Sequence, residues 1–135
     1  MLLLTPEDII RIHEVILRKI GGSDGLRDAG ALAMCAGRPF AAFGGNEMYP
    51  GIFMKAAAVL ESIARNHPFV DGNKRTAFMT ALYIIENNGY QTFFDQKDIE
   101  ESIVRFIVEK TPLENIAAWV SDMSVPSLEH NSKNE

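Results

Sequence analysis

Two long apolar segments, separated by a short break, dominate the middle of this 135-residue chain. The first runs from Pro50 to about Asn66, and the second follows Gly72 and ends at Asn88-Gly89. Both repeat apolar side chains at helical spacing and are apolar on most sides, which is typical of helices buried in a core. Pro68 and Gly72 interrupt the pattern between them. The sequence therefore predicts a central helical hairpin that presents the connecting loop.

Four further helices are predicted around this hairpin, which makes the fold class all-α with about six helices. Each begins after a capping residue or at a proline, and their starts are Thr5-Pro6, Asp28, Asp95 or nearby, and Thr111-Pro112. Residues 39–49 mix aromatic side chains with glycines and have no helical period. They predict an ordered loop or small hairpin, named the flap from here on. Residues 90–94 predict a short extended connection.

The chain as a whole predicts one domain over residues 1–125, followed by a polar and flexible tail over residues 126–135. A net charge of −5 argues against direct nucleic-acid binding, although a local basic site remains compatible with it. Cys35 has no second thiol with which to pair, and no apolar run is long enough to span a bilayer. We therefore expect a cytoplasmic protein without a membrane partner.

The loop from His67 to Gly72, named the motif loop, combines several groups that carry chemistry. A lone histidine at a helix end is ordinarily a cap or a structural hydrogen-bonding group, and an aspartate before a helix, such as Asp71, is usually a cap. Phe69 and Val70 are interpreted as anchors that pack into the core. A functional role for His67 and Asp71 thus depends on their neighbours.

Those neighbours predict an anion site. Gly72 lets a ligand approach the backbone closely, and the free amides at the start of the next helix favour negative charge. Lys74 and Arg75 place two cations in that first turn, where the helix dipole disfavours them, and a bound phosphate accounts for both. The alternative is a solvated basic edge, paired with Glu61 or Glu86 of the neighbouring helices. A polyphosphate would also require a divalent cation and a base, which Asp71 and His67 can supply.

The stretch His67-Pro-Phe-Val-Asp-Gly-Asn-Lys-Arg75 closely resembles the signature of the Fic/Doc family, and specifically of the death-on-curing (Doc) toxins of type II toxin–antitoxin systems. The resemblance extends in the same order to Gly25-Leu-Arg-Asp28, Phe43-Gly-Gly45, Tyr49-Pro50 and Asn88-Gly89, and it covers most of residues 5–120. It implies the all-α Fic fold.

The resemblance also implies a role for each site residue. His67 would be the catalytic residue that activates a hydroxyl group of a target protein, and Asp71 would bind Mg²⁺. The phosphates of ATP would be held by the residues that begin the fourth helix, namely Gly72, Asn73, Lys74 and Arg75. Arg65 would be a further phosphate or target contact. In the flap, Phe43, Gly44 and Gly45 would position the target segment by extended-strand pairing.

Two positions depart from the wider Fic pattern, which has a glycine where this chain has Lys74 and an arginine where it has Phe78. Both departures are Doc-like, and they favour presenting the γ-phosphate of ATP to the hydroxyl. The resemblance therefore implies a kinase-type toxin that phosphorylates a translation elongation factor and arrests growth. It also implies a cognate antitoxin, whose disordered C-terminal segment inhibits the toxin in trans.

Three alternatives remain open at this point. The first is adenylylation (AMPylation) of a protein hydroxyl by the same site. The second is a non-catalytic module whose loop binds a phosphate or a peptide. Metal-dependent hydrolysis is weaker, because only His67 and Asp71 are available as ligands and metal sites usually need more. His13 lies on an apolar helical stripe and is interpreted as a residue at the edge of the core.

Overall fold

The protein is described by a computed structural model over residues 3–128. Six α-helices account for most of this part of the chain, which confirms the all-α prediction: α1 (Pro6–Ile20), α2 (Ala29–Gly37), α3 (Ile52–Asn66), α4 (Asn73–Glu86), α5 (Ile99–Val108) and α6 (Leu113–Ser121). A 3₁₀ turn, Arg38–Phe40, follows α2. Four short strands form two antiparallel pairs: β1 (Ala42–Phe43) with β2 (Asn46–Glu47), and β3 (Tyr90–Thr92) with β4 (Ser124–Pro126).

The predicted central hairpin is confirmed, because α3 and α4 pack against each other more extensively than any other pair of helices. α3 is buried without interruption from Lys55 to Ala64, and this is why its sequence is apolar on most sides. α6 covers α3, and α1 lies against α4. The ring of Phe78, fully buried on α4, meets those of Phe94 and Trp119 in the core.

Helix boundaries differ from the predictions at two places. α3 begins at Ile52, so Pro50 lies outside it, because Gly51 adopts a positive φ of 87° that ends the preceding turn. α5 begins at Ile99 rather than near Asp95, and Asp98 precedes it in a left-handed conformation. Both helices still follow their predicted apolar stripes.

The extended connection at Tyr90–Thr92 is present, but its partner strand was not predicted. β4 pairs with it from Ser124 to Pro126, and the N–H of Ser127 donates to the carbonyl of Gly89. β4 therefore crosses the predicted boundary at residue 125, while residues 129–135 of the predicted tail lie outside the described part of the chain. Among residues 3–128, no helix has both the length and the apolar content that crossing a bilayer requires.

Candidate active site

His67 ends α3 in a left-handed conformation, with φ 49° and ψ 60°. Its N–H still donates to the carbonyl of Ile63, and Pro68 prevents the helix from continuing. A non-glycine residue in this conformation costs roughly 1–2 kcal/mol, so its surroundings must hold it. Arg27 does so from outside the hairpin, since its guanidinium donates to the carbonyls of His67 and Asn66, each over 2.6 Å. The backbone of His67 is thus held in place, and the residue is exposed to solvent.

The middle of the motif loop is fastened to α4 by Asn73. The side-chain oxygen of Asn73 accepts from the N–H of Phe69 over 3.0 Å, and its Nδ2 donates to the carbonyl of Phe69 over 2.9 Å. Both partners are buried, so this amide satisfies two backbone groups that water cannot reach. The Asn73 side chain thus positions the loop, and the contact it can offer a phosphate is its backbone N–H in the first turn of α4.

α1 supports the same loop through His13, which is 2% exposed. Its ring stacks on Phe69, with centroids 3.9 Å apart and planes within 6°. Its Nε2 lies 2.8 Å from the carbonyl oxygen of Asp71, and because a carbonyl can only accept, Nε2 carries the proton. His13 is therefore more than the core-edge residue predicted, since it holds Phe69 and Asp71 at once.

Residues 25–28 run antiparallel beside the loop and complete its hydrogen bonds. The N–H of Val70 donates to the carbonyl of Gly25, and the N–H groups of Arg27 and Asp28 both donate to the carbonyl of Pro68. Gly25 has φ +134°, and a Cβ there would come within 3.0 Å of the Val70 side chain. This pairing gives a physical reason for Gly25-Leu-Arg-Asp28, and Asp28 also caps α2 as predicted.

Val70 does not pack into the core as predicted, because successive side chains of this extended stretch point to opposite sides. Phe69 is 2% exposed, whereas Val70 is 57% exposed. The core prediction is therefore confirmed for Phe69 and wrong for Val70.

Asp71 is exposed, and each of its carboxylate oxygens accepts one backbone hydrogen bond, from Ser23 over 3.1 Å and from Gly72 over 2.9 Å. These two N–H groups hold the pKa of Asp71 below its usual 3.8, with smaller contributions from the charges of His13 and Lys74. Asp71 does not cap α4, because Gly72 occupies the N-cap position. The carboxylate is thus ionised and open to solvent.

The start of α4 has the features of an anion site. Gly72 has φ 77°, no side chain caps the helix, and its first turn contains no acidic residue. Within residues 3–128, neither Lys74 nor Arg75 forms a salt bridge. The predicted pairing with Glu61 or Glu86 is therefore wrong, while a solvated basic edge at Lys74 and Arg75 remains the alternative to a bound phosphate. Glu61 binds Arg38 and Arg65, and Glu86 accepts a hydrogen bond from Thr92.

His67 and Lys74 face one cavity of about 170 Å³, whose other wall is formed by Ala64 and the apolar face of α5. Arg65 does not join them. Its guanidinium pairs with Glu61, and it lines a separate cavity of about 430 Å³ with Arg38 and Lys110. Ile107 of α5 contributes to both cavities. The structure thus groups His67 with Lys74 and separates Arg65 from them.

The predicted flap is a small hairpin. Phe43 pairs with Asn46, and Gly44 and Gly45 form the connecting turn with φ values of +60° and +82°. Positive φ at both central residues is the geometry of a type I′ turn, which suits a two-residue hairpin. Phe43 is 84% exposed. No hydrogen bond within residues 3–128 joins the flap to the motif loop, so the two are connected through α3.

The residues around the motif loop suit a metal that arrives with a nucleotide. Within residues 3–128, no group of three or more His, Cys, Asp and Glu side chains could hold a metal ion by itself. Mg²⁺, however, commonly binds one or two carboxylates and completes its shell with water and substrate phosphates. Asp71, ionised and beside the start of α4, has the donor chemistry for this arrangement.

Sequence reasoning missed two residues that hold the site. Arg27 lies in a stretch that reads as a turn, and its bonds to His67 and Asn66 bridge about 40 residues of chain. His13 carried one signal, a polar ring at a core position of an apolar stripe, which usually has a buried partner. The pattern itself could not name Asp71 as that partner.

The fold and the site together define the class of this protein: it is an all-α protein whose central helical hairpin presents a histidine, a carboxylate and an uncapped, cationic helix start. The Fic/DOC family model matches residues 3–85, and the chain belongs to this family. Among curated relatives, "Toxin Doc" of Mycolicibacterium smegmatis (strain ATCC 700084 / mc(2)155) is 38% identical over 117 residues, covering 85% of this chain and 88% of that protein. "Protein kinase doc" of Escherichia phage P1 is 36% identical over 90 residues, covering 67% of this chain and 71% of that protein.

Proposed function

We propose that the chain is the toxin of a toxin–antitoxin module, and that it transfers the γ-phosphoryl group of ATP to a hydroxyl of a target protein. The observation that carries the proposal is the arrangement at the motif loop, where His67 and Lys74 line one cavity beside the uncapped start of α4. The relatives named as a toxin and as a protein kinase support the same reading.

In this proposal, His67 acts as the general base. The target hydroxyl oxygen attacks the γ-phosphorus, its proton moves to the imidazole, and the bond between the γ-phosphorus and the β,γ-bridging oxygen breaks to release ADP. The left-handed backbone of His67, held by Arg27, fixes the point from which the imidazole projects. Preorganisation of this kind lowers the barrier by positioning the reacting groups.

The phosphates would lie at the start of α4. The backbone N–H of Asn73 and the side chains of Lys74 and Arg75 form the proposed phosphate site, and Gly72, which has no side chain, lets the ligand approach the backbone closely. Asp71 would hold Mg²⁺, which neutralises charge on the phosphates when bound. Arg65 pairs with Glu61 and lines a different cavity from His67, so we propose it as a target contact rather than a phosphate contact.

The target and the inhibitor are the finer parts of the proposal. The exposed hairpin at Phe43, Gly44 and Gly45 would position the target segment by strand pairing, and the family resemblance favours a translation elongation factor as that target. A cognate antitoxin, with a disordered C-terminal segment that folds onto the site, would restrain the enzyme in trans. The relative named as a toxin supports a partner of this kind.

A labelling experiment tests the proposal. The purified protein is incubated with Mg²⁺, a translation elongation factor and ATP labelled at either the α- or the γ-phosphate. We expect label on the factor from γ-labelled ATP alone, and its loss in His67→Ala. Label on the factor from α-labelled ATP would contradict phosphorylation and identify the reaction as adenylylation. If wild type and His67→Ala were equally harmless when expressed without an antitoxin, a non-catalytic binding module would be favoured.

A further inference from the structure

Lys55 is an unusual residue in the core of this protein. It lies near the start of α3, within the run of residues that α4 and α6 cover, and only 1% of its side chain is exposed. Lysine is almost never fully buried unless it is paired, because removing an ammonium group from water is costly. The buried amino group therefore requires partners that compensate for its lost hydration.

Both partners of Lys55 belong to the C-terminal end of the flap. Its Nζ donates to the carbonyl of Tyr49 over 2.6 Å and to the carboxylate of Glu47 over 3.0 Å. Glu47 lies in β2, opposite Ala42 of β1. The buried ammonium group therefore fixes β2 and the residues after it, through which the chain leaves the flap and enters α3.

The N-terminal end of the flap is tied to the same helix by Arg38. The guanidinium of Arg38 binds Glu61 and donates to the hydroxyl of Ser62 over 2.8 Å, both on α3. It also donates to the hydroxyl of Tyr49 over 2.9 Å, which joins the two ends of the flap. Between these attachments the tip is open, and a Cβ on Gly44 or Gly45 would meet nothing within 4 Å.

We propose that Lys55 is a positioning residue for the protein substrate, which holds the flap in the one arrangement that can pair with a target segment. The inference rests on the proposed function in its reference to a target. An ion pair between a buried ammonium group and an exposed carboxylate, as between Lys55 and Glu47, contributes little to stability compared with an apolar replacement, whereas it can select one arrangement among several. Lys55 selects the path of Glu47 to Tyr49, and through it the register in which the strands of the flap face a partner.

Hydrogen exchange tests the anchoring without any need for activity. In Lys55→Met, which keeps the length of the side chain and removes the amino group, we expect amide exchange in residues 41–49 to accelerate roughly tenfold. The N–H of Met48, which donates to the carbonyl of Ala41, is the most direct reporter. Exchange in the motif loop should not change. Unchanged exchange in the flap would overturn the proposal.

Kinetics test the positioning. For Lys55→Met we expect the KM for the protein target to rise roughly tenfold, with little change in the KM for ATP or in kcat at saturating target. Val59→Ala is the matched control, because Val59 is fully buried on the same helix and its truncation lowers stability without removing a flap contact. An equal rise in KM in the control would assign the effect to general destabilisation and overturn the proposal.

Glu47→Ala breaks the same ion pair without altering the core, since the Glu47 side chain is 57% exposed. It therefore tests the proposal even if Lys55→Met fails to fold. We expect a smaller rise in the KM for the target in this variant, and an effect that is less than additive when it is combined with Lys55→Met. Full additivity would contradict a shared role. If the wild-type protein labels no target at all, the proposed function fails, and the exchange experiment still decides whether Lys55 holds the flap.

Discussion

The motif loop and the flap are both short connections next to α3, yet they are held in opposite ways. Hydrogen bonds reach the backbone of every residue of the motif loop from His67 to Gly72, and they come from α1, α4 and the stretch at residues 25–28. The flap is attached at its two ends, while its tip is exposed. The motif loop is thus fixed along its whole length, whereas the flap is fixed only at its two ends.

This difference corresponds to what each segment has to do in the proposed reaction. A base and a phosphate site must keep their geometry before substrate arrives, because misplacement by about 1 Å can cost a hundredfold in rate. A surface that pairs with a protein segment must accept a partner whose backbone is not yet in place. The comparison predicts that substitutions in the loop reduce stability and activity together, and that substitutions at the flap tip affect target binding alone.

The largest effect is expected for Asn73→Ala. The substitution leaves the N–H and the carbonyl of buried Phe69 without partners, and each unpaired buried group costs roughly 1–3 kcal/mol. We expect the free energy of unfolding to fall by about 2–4 kcal/mol in urea titrations. Asn73→Asp retains the acceptor and loses the donor, so its loss should be smaller. A free energy of unfolding within about 0.5 kcal/mol of the wild-type value would show that Asn73 does not hold the loop.

His13→Phe should have the next largest effect, because it keeps the stacking on Phe69 and removes the hydrogen bond to the carbonyl of Asp71. We expect a loss of about 1 kcal/mol in stability, together with a fall in the rate of transfer of roughly tenfold or more. Ile9→Val is the control, since Ile9 is fully buried on the same helix and the loss of one methyl group costs a similar amount. A rate as low in the control would remove the case for positioning by His13.

The sequence predicted these two segments unequally well, and for physical reasons. The hairpin of α3 and α4 follows from apolar spacing, and the end of α3 follows from Pro68, because both depend on residues close together in the chain. The flap glycines likewise indicated a turn. The bonds from Arg27 to His67 and from His13 to Asp71 join residues about 40 and 58 positions apart, which no local pattern encodes. Asn73 was assigned to a phosphate on the family resemblance, and its side chain instead binds the backbone of Phe69, a contact that only the folded structure reveals.

Substitutions in the flap should affect target binding and leave stability unchanged, unlike substitutions in the motif loop. Phe43 is 84% exposed, so Phe43→Ser should change the free energy of unfolding by less than about 0.5 kcal/mol. The same variant should raise the KM for the protein target and leave the KM for ATP unchanged, because in the proposed reaction Phe43 contacts the target and not the nucleotide. Met34→Ser, at an exposed position of α2, should change neither quantity. A clear loss of stability in Phe43→Ser would break the comparison, since it would mean that the flap tip is held by the fold.

The smallest effect concerns the acid stability of the loop. Backbone N–H groups of Ser23 and Gly72 hold the pKa of Asp71 below its usual 3.8. As pH falls through that value, the unfolded chain takes up a proton before the folded one, so the stabilisation is complete above about 3.8 and is lost as pH falls through the folded pKa. Asp71→Asn cannot titrate, so its deficit relative to wild type in urea midpoints should be present at pH 5 and shrink at lower pH. Because Asp71 is exposed, solvent screens the interaction and the deficit should be slight. A deficit that stays constant down to the acid limit of folding would mean that the two N–H groups bind Asp71 without favouring its charge, and that the loop is held by its buried contacts alone.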